Sequence, residues 1–336
     1  MMRRQSIPAA FAMESGLQAR LFSLGALGRL RGVLNIDHES VITSYQEADP
    51  VLLEAVEVLI TGWGAPVLGS LDLDRMPKLR AVFHAAGTVK GHLPPELWDR
   101  GILVTTAATA NAHPVAEYTL AMILLAGKEV LGIAADYAAD AAIEVSSRQP
   151  VIGNYRRTVG VIGASTVGRL VVELLGSFDF DVLLYDPTIS GGDPVLRGAQ
   201  RVSLDELFER ATIVSVHAPL LPETRGMVGA AELAKLAPGS TLINTARAPI
   251  VDQAALGAAL ATGRLKAILD VTDPEPLPLG HPLRSEPNLL ITPHVAGALG
   301  NELFRLGESV VREAELFSQN REAAFPVLKD DLAAMA

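Results

Sequence analysis

The chain of 336 residues contains no cysteine, which excludes disulfides, thiolate nucleophiles and cysteine metal sites. Positive charge is scarce: 28 Lys and Arg against 38 Asp and Glu give a net charge of −10. No basic cluster offsets that balance, which argues against a nucleic-acid partner. Long apolar runs are missing as well. The longest candidate, Val115 to Gly127, is too short to span a bilayer and contains Glu117. The opening MMRRQSIPAAFAM is basic at its start, but its apolar run is short and meets Glu14. It reads as a first strand rather than a signal peptide. There is no internal repeat or low-complexity segment. The expected compartment is the cytoplasm, and neither a metal nor a membrane is expected.

What is present describes a globular α/β protein: 49% hydrophobic residues, punctuated by 29 Gly and 21 Pro. The length exceeds one typical core, so two domains are expected. The stretch from Thr158 to Pro187 organises the rest. An apolar run, Val159 to Ile162, meets Gly163, and helical spacing begins at once. Val167, Leu170, Val171, Leu174 and Leu175 form one apolar stripe. A second run, Val182 to Tyr185, ends at Asp186, about 20 residues beyond the first glycine. Strand, tight turn, helix, strand and closing acid fit a dinucleotide-binding unit. The helix start would turn its N–H groups on a pyrophosphate, and Asp186 would accept from a ribose diol. By itself the turn is equally compatible with an ordinary βαβ crossover; the acid favours the dinucleotide. The fingerprint departs at one letter, Gly163-Ala-Ser165-Thr-Val-Gly168, with Ser where the middle glycine is usual.

Before this unit the chain alternates strand-like runs (9–13, 56–61, 79–84, 102–106) with a helix predicted around Leu17–Arg31. Pro94 and Pro95 open a short helix that Gly101 closes. Pro114 to Lys128 reads as a helix apolar almost all round, which must be covered on several sides. After it, strands are predicted to end near Gly163, Asp186, His217, Thr245, Asp270 and His294. Ser203 with Glu206 suggests a capping box, Asp252 another cap, and Gly239 and Gly263 helix ends. Six strands joined by crossovers predict a parallel, doubly wound sheet. A final helix near Asn301 to Phe317 has nowhere to pack in that sheet and is expected to return to the N-terminal part. The first domain is then discontinuous, 1–110 with 299–336, around a domain at 111–298.

Polar residues gather at the predicted strand ends, where open α/β sheets bind ligands. Arg247, Glu275 and His294 stand out. Each alone is an ordinary loop residue; all three at one end of one sheet suggest a site. Hydride transfer to a 2-oxo acid needs a fixed cation for carboxylate and carbonyl, which Arg supplies. It also needs a proton donor for the new alkoxide, which His supplies, kept charged by a neighbouring carboxylate.

From about Val56 to Ala298 the chain resembles the D-2-hydroxyacid dehydrogenase family, which includes phosphoglycerate dehydrogenases and glyoxylate/hydroxypyruvate reductases. Five motifs carry the resemblance: Gly163–Gly168 with Asp186, Val216–Gly226, Asn244–Asp252, Asp270–Pro276 and Thr292-Pro-His294. It implies a Rossmann-type NAD-binding domain, a smaller flavodoxin-like substrate domain, and NAD-dependent interconversion of a 2-oxo acid and its D-2-hydroxy acid. Arg247, Glu275 and His294 become the catalytic trio, His294 as general acid/base. NAD would meet Gly163, Ser165, Thr166, Val167 and Gly168 at the pyrophosphate, and Asp186 at the ribose. His217, Pro219 and Thr224 would border the adenine side, and Thr245, Ala246 and Arg247 would face the cofactor. Asp270 would take the carboxamide, with His294 and Gly297 close by. Main-chain N–H groups of Gly87, Thr88 and Val89, with Arg247, would hold the substrate carboxylate. That loop departs from the family, with Thr88 for a glycine and Lys90 for an aspartate. Glu275 stands where the family's formate dehydrogenases carry Gln, which argues against formate. Family members are commonly homodimers through the region following Asn111. The rival implied by the same resemblance is an NAD(H)-sensing corepressor.

Overall fold

Apolar runs separated by Gly, Pro and Asp turns become parallel strands in the computed structural model, which describes residues 6–139 and 152–334. The basic residues that open the chain lie outside the described part. In chain order the first elements are β1 (Ile7–Ala12), α1 (Leu17–Leu21), α2 (Leu24–Val33), β2 (Leu34–Asn35) and β3 (Val41–Ile42). Then come α3 (Pro50–Ala55), β4 (Val58–Thr61), α4 (Ser70–Asp74), β5 (Ala81–His84), α5 (Glu96–Asp99) and β6 (Leu103–Thr106). Two helices follow, α6 (Ala108–Gly127) and α7 (Val130–Ala139). The next strands and helices are β7 (Thr158–Ile162), α8 (Thr166–Leu175), β8 (Asp181–Tyr185), β9 (Gln200–Arg201), α9 (Leu204–Arg210) and β10 (Ile213–Val216). They continue as α10 (Ala230–Lys235), β11 (Thr241–Asn244), α11 (Gln253–Ala261), β12 (Lys266–Leu269) and β13 (Leu289–Ile291). The chain closes with α12 (Leu303–Ser318) and α13 (Asp331–Ala334).

These elements form two compact units. Unit 1 runs to Asn111 and resumes at Ala298; unit 2 is Ala112–Gly297. In unit 1 the sheet order is β2-β1-β4-β5-β6, with β3 also on β1, and every pair is parallel. Strands β4 and β5 are buried throughout, which is why they read as unbroken apolar runs. The single helix predicted around Leu17–Arg31 is in fact two. Ser23 adopts an extended φ/ψ of −61°/162° and its Oγ accepts the Ala26 N–H at 3.2 Å, capping a new helix. The last long helix, α12, packs on α2, α1 and β5. Its buried face is Leu303, Leu306, Val310, Val311 and Ala314. At Gly307 an added β-carbon would lie 2.0 Å from the Leu21 carbonyl oxygen, so only glycine allows this approach.

Unit 2 is a seven-stranded parallel sheet, ordered β13-β12-β11-β10-β7-β8-β9. It is the doubly wound sheet predicted, with one strand more. The extra strand, β9, is two exposed residues with no apolar pattern to announce it. Successive strands step one way from β7 to β9 and the other way from β10 to β13, so the order reverses between β7 and β10. Ligands of such sheets bind at this switch point.

Two local expectations are corrected. Helix α6 starts at Ala108 rather than Pro114, because Thr106 Oγ1 accepts the Ala108 N–H at 3.4 Å and begins it earlier. Within the single chain it is covered on one side. One stripe (Ala112, Ala116, Thr119, Ile123, Gly127) is buried, while Leu120, Leu124 and Leu125 are half-exposed. Ser203 caps α9 through the Glu206 N–H at 3.1 Å, but no reciprocal box forms, because the Glu206 carboxylate pairs with Arg210. Asp252 caps α11 as predicted, accepting from Ala254 and Ala255. Among the described residues no single helix is long and apolar enough to cross a membrane; α6 and α7 reach that composition only as a pair bent by 58°.

Candidate functional site

The turn after β7 is built on two glycines with different tasks. Gly163 has φ +95°, and a β-carbon there would lie 2.6 Å from the Ala218 nitrogen, so the ends of β7 and β10 touch backbone to backbone. At Gly168 a β-carbon would sit 2.0 Å from the Gly163 carbonyl oxygen, which lets α8 pack onto its own turn. Ser165 needs no glycine. Its φ of −63° suits any residue, and its Oγ caps α8 by accepting the Gly168 N–H at 3.3 Å. Among the described residues the Ser165 hydroxyl proton meets no acceptor. The first-turn N–H groups of Thr166 and Val167 have no carbonyl partner within the helix, the arrangement a pyrophosphate requires.

Asp186, just past β8, accepts the Ala164 N–H at 2.7 Å on Oδ2. Its Oδ1 takes the Thr188 N–H at 2.8 Å and hydroxyl at 2.6 Å. Partial burial pushes its carboxyl up, but bonds from Thr188, Ala164 and Ile189 outweigh this and hold it below the usual range. Arg169 of α8 was not picked out from the sequence, yet it feels the charge of Asp186. Its guanidinium is committed in a bidentate pair to Asp193, at 2.6 and 2.8 Å. The turn therefore fits a dinucleotide: two glycines without room for a side chain, free first-turn donors, and a held carboxylate.

His217 lies beneath the turn. It is 4% exposed, with Nε2 2.8 Å from Ser215 Oγ, and burial pushes it down to about 3, so the ring is neutral. Thr224 closes the following loop, donating to the Pro219 carbonyl at 2.6 Å and accepting the Leu221 N–H at 2.8 Å. Thr245 is buried, 3.1 Å from Thr119 Oγ1. Asn244 clamps the next loop, accepting the Ala246 N–H and donating to the Arg247 carbonyl, both at 3.0 Å.

That clamp presents Arg247, half-buried, with one guanidinium N–H given to the Ala246 carbonyl at 2.8 Å. Burial pushes the guanidinium below its usual range, and the charge of Glu275 opposes the shift. Glu275 also meets the third residue: its Oε1 lies 2.9 Å from His294 Nδ1. This leaves Nε2 as the ring nitrogen that Glu275 does not engage. The structure thus brings Arg247, Glu275 and His294 together at the carboxyl ends of β11, β12 and β13. His294 has φ +56°, a left-handed conformation that a β-carbon disfavours. Asp270 holds it there. Its carbonyl accepts the His294 N–H at 2.9 Å. Its carboxylate accepts from Thr292 Oγ1, Val295 N and Ala296 N at 2.6, 2.8 and 2.9 Å. Asp270 is 1% exposed, and its carboxylate organises the His294 loop. Gly297 follows, half-buried.

In unit 1 the loop after β5 is anchored by two histidines. His84 is buried, its Nδ1 2.9 Å from Thr61 Oγ1, and its ring is 4.6 Å from that of His92. Burial, with His92 adding to it, pushes His84 down to about 3. Between them, among the described residues, the N–H groups of Gly87, Thr88 and Val89 meet no acceptor. The Val89 side chain is buried and fixes the loop from below.

A turn of this kind, at the point where the strand order reverses, defines a dinucleotide-binding protein of the doubly wound class. Residues 120–296 match the sequence profile of the D-isomer specific 2-hydroxyacid dehydrogenase, NAD binding domain, and the chain belongs to that dehydrogenase family. Unit 2 is its NAD-binding domain. A D-3-phosphoglycerate dehydrogenase of Mycobacterium tuberculosis is 31% identical over 316 residues, covering 93% of this chain and 57% of that protein. The chain therefore spans little more than half the length of that relative. A glyoxylate reductase of Thermofilum pendens is 33% identical over 228 residues, 65% of this chain and 66% of that one. The solved structure of a phosphoglycerate oxidoreductase from Rhizobium etli shares the fold, with a TM-score of 0.83, 23% identity and coverage of 97% and 99%.

Proposed function

We propose that this protein interconverts a 2-oxo acid and its D-2-hydroxy acid, with His294 as general acid/base, Glu275 as its partner and Arg247 as the substrate cation. The observation that carries this is the 2.9 Å bond from Glu275 to His294 Nδ1, with Glu275 also within electrostatic reach of Arg247. Bound NAD(H) would accept or supply the hydride at its nicotinamide ring. The rest falls to the chain. Arg247 offers a fixed fork of donors to the carboxylate and C2 oxygen of the substrate. His294 Nε2 gives a proton to the C2 oxygen in reduction and takes it in oxidation. Glu275, bonded to the opposite ring nitrogen, fixes the ring's orientation and compensates its positive charge. The unpaired N–H groups of Gly87, Thr88 and Val89 hold the substrate carboxylate, and Asp186 selects the ribose. The cofactor-facing segments are the turn from Gly163 to Gly168, Pro219 to Thr224, and Thr245 to Ala246.

The test is NADH oxidation followed by absorbance with a panel of 2-oxo acids, including glyoxylate, hydroxypyruvate and bulkier aromatic acids. Turnover with at least one is expected; none above background would defeat the reading. The working form is a homodimer. The motivation is α7, an apolar helix without a buried residue, on which Val130, Leu131 and Tyr137 are exposed. Sedimentation equilibrium at the monomer mass would refute this.

A further inference from the structure

Two consecutive residues of α6 each hold one of the loops that carry the candidate catalytic side chains. Tyr118 Oη lies 2.7 Å from Thr292 Oγ1, two residues before His294. Thr119 Oγ1 lies 3.1 Å from Thr245 Oγ1, two residues before Arg247. Counting protons fixes the direction of the first bond. Thr292 has one hydroxyl proton and donates it to Asp270 Oδ1 at 2.6 Å, so Tyr118 is the donor to Thr292. Asp270 in turn accepts the N–H groups of Val295 and Ala296, and its carbonyl accepts that of His294. The relay runs from α6 to the backbone on both sides of a residue held at φ +56°. Such a conformation persists only where its surroundings over-determine it. The second bond is buried at both ends, Thr119 at 0% and Thr245 at 8% exposure, where a lost partner is costly.

The geometry of the helix explains why neighbours serve two different loops. Consecutive helical side chains point about 100° apart. The loops follow β13 and β11, which flank β12 and stand roughly 10 Å apart. We propose that Tyr118 and Thr119 are positioning residues that set His294 and Arg247 relative to each other by tying both loops to one turn of α6. The proposal rests on the dehydrogenase reading above, because the spacing matters only if both side chains address one substrate.

The experiment compares Tyr118→Phe, Thr119→Val and Thr119→Ser in the full chain, measuring kcat, KM, NADH affinity and amide exchange at Val295 and Ala296. Tyr118→Phe should lower kcat roughly tenfold through misplacement of His294. NADH affinity should stay nearly unchanged, and the Val295 and Ala296 amides should exchange faster. Thr119→Val should raise KM for the oxo acid as Arg247 shifts, and Thr119→Ser, which keeps the hydroxyl, should recover most of it. Unchanged kcat and exchange in Tyr118→Phe overturn the proposal while leaving the dehydrogenase reading standing. So does a parallel loss of kcat, NADH affinity and thermal stability, the mark of general loosening. No turnover by the unmodified chain overturns both.

Discussion

Asp186 holds the backbone N–H of Ala164 at 2.7 Å, so the acid that ends β8 also shapes the turn that follows β7. Replacing it with Ala removes a ribose acceptor and frees the turn. NADH binding should weaken roughly tenfold, the value of a charged hydrogen bond, and the preference over NADPH should narrow. Fluorescence titration with both cofactors checks this; an unchanged preference would remove Asp186 from the ribose site.

Arg169 feels the charge of Asp186, and Asp193 keeps it occupied. In Asp193→Ala the guanidinium loses its bidentate partner and becomes free to meet a 2′-phosphate. NADPH should become a better substrate by severalfold while NADH kinetics barely move. Steady-state kinetics with the two cofactors decide it, and no gain with NADPH would mean that Arg169 points elsewhere.

Ser165 caps α8, so its hydroxyl serves the helix whether or not a phosphate is present. Ser165→Ala should cost about 1 kcal/mol of unit 2 stability, and Ser165→Gly only a few tenths. If the free hydroxyl proton also donates to phosphate, both variants should bind NADH more weakly. Tighter binding by the Gly variant would show instead that the side chain crowds the cofactor.

His294→Ala should lower turnover by roughly 10²–10⁴, the range for a general acid/base, with NADH affinity kept. Glu275→Gln preserves shape and a hydrogen bond to Nδ1 but removes the charge, so it should fall between the wild type and the Ala variant. Stopped-flow hydride transfer measured alongside NADH binding separates chemistry from affinity. A Gln variant with full turnover would break the pairing.

Acid should destabilise the fold through two buried histidines. His84 and His217 are both pushed down to about 3 in the folded chain, from an ordinary value of 6.5. Below pH 6.5 the unfolded chain takes up protons that the folded one refuses. Stability is therefore full above that pH, falls on acidification, and levels off below about 3. Each histidine contributes a slope of up to about 1.4 kcal/mol per pH unit. His84→Asn should flatten the urea-unfolding profile between pH 6 and 4; an unaltered slope would show that the ring titrates normally.

Much of this was legible in the sequence because parallel strands buried on both faces must be apolar, and their ends must be polar where ligands bind. The runs before Gly163, Asp186, Thr245 and Asp270 announce themselves for that reason. The break at Phe22 did not, since only the cap made by Ser23 decides it. The strand at Gln200–Arg201 did not, since two exposed residues carry no period. The positions of Arg247, Glu275 and His294 could be read, but not what holds them. Tyr118 and Thr119 look like ordinary helix residues, and their hydroxyl partners lie 174 and 126 residues away. Contacts across such separations come from tertiary packing, which single-sequence spacing does not encode. Asn244 was visible within its motif, but its clamp on Ala246 and Arg247 appears only in three dimensions.

The return of α12 to unit 1 sets an order of events during synthesis. Leu17, Leu21 and Leu30 share a core with Leu306 and Val310, so part of their cover is missing until α12 is made. At ordinary ribosomal rates, translating unit 2 takes roughly ten seconds or more. Through that interval the nascent chain carries a partly open apolar face, while unit 2, contiguous in the chain, can fold as soon as it emerges. A message truncated before Leu303 would thus release a ribosomal product with a finished cofactor domain and a sticky, unfinished partner, a natural substrate for chaperones and proteases.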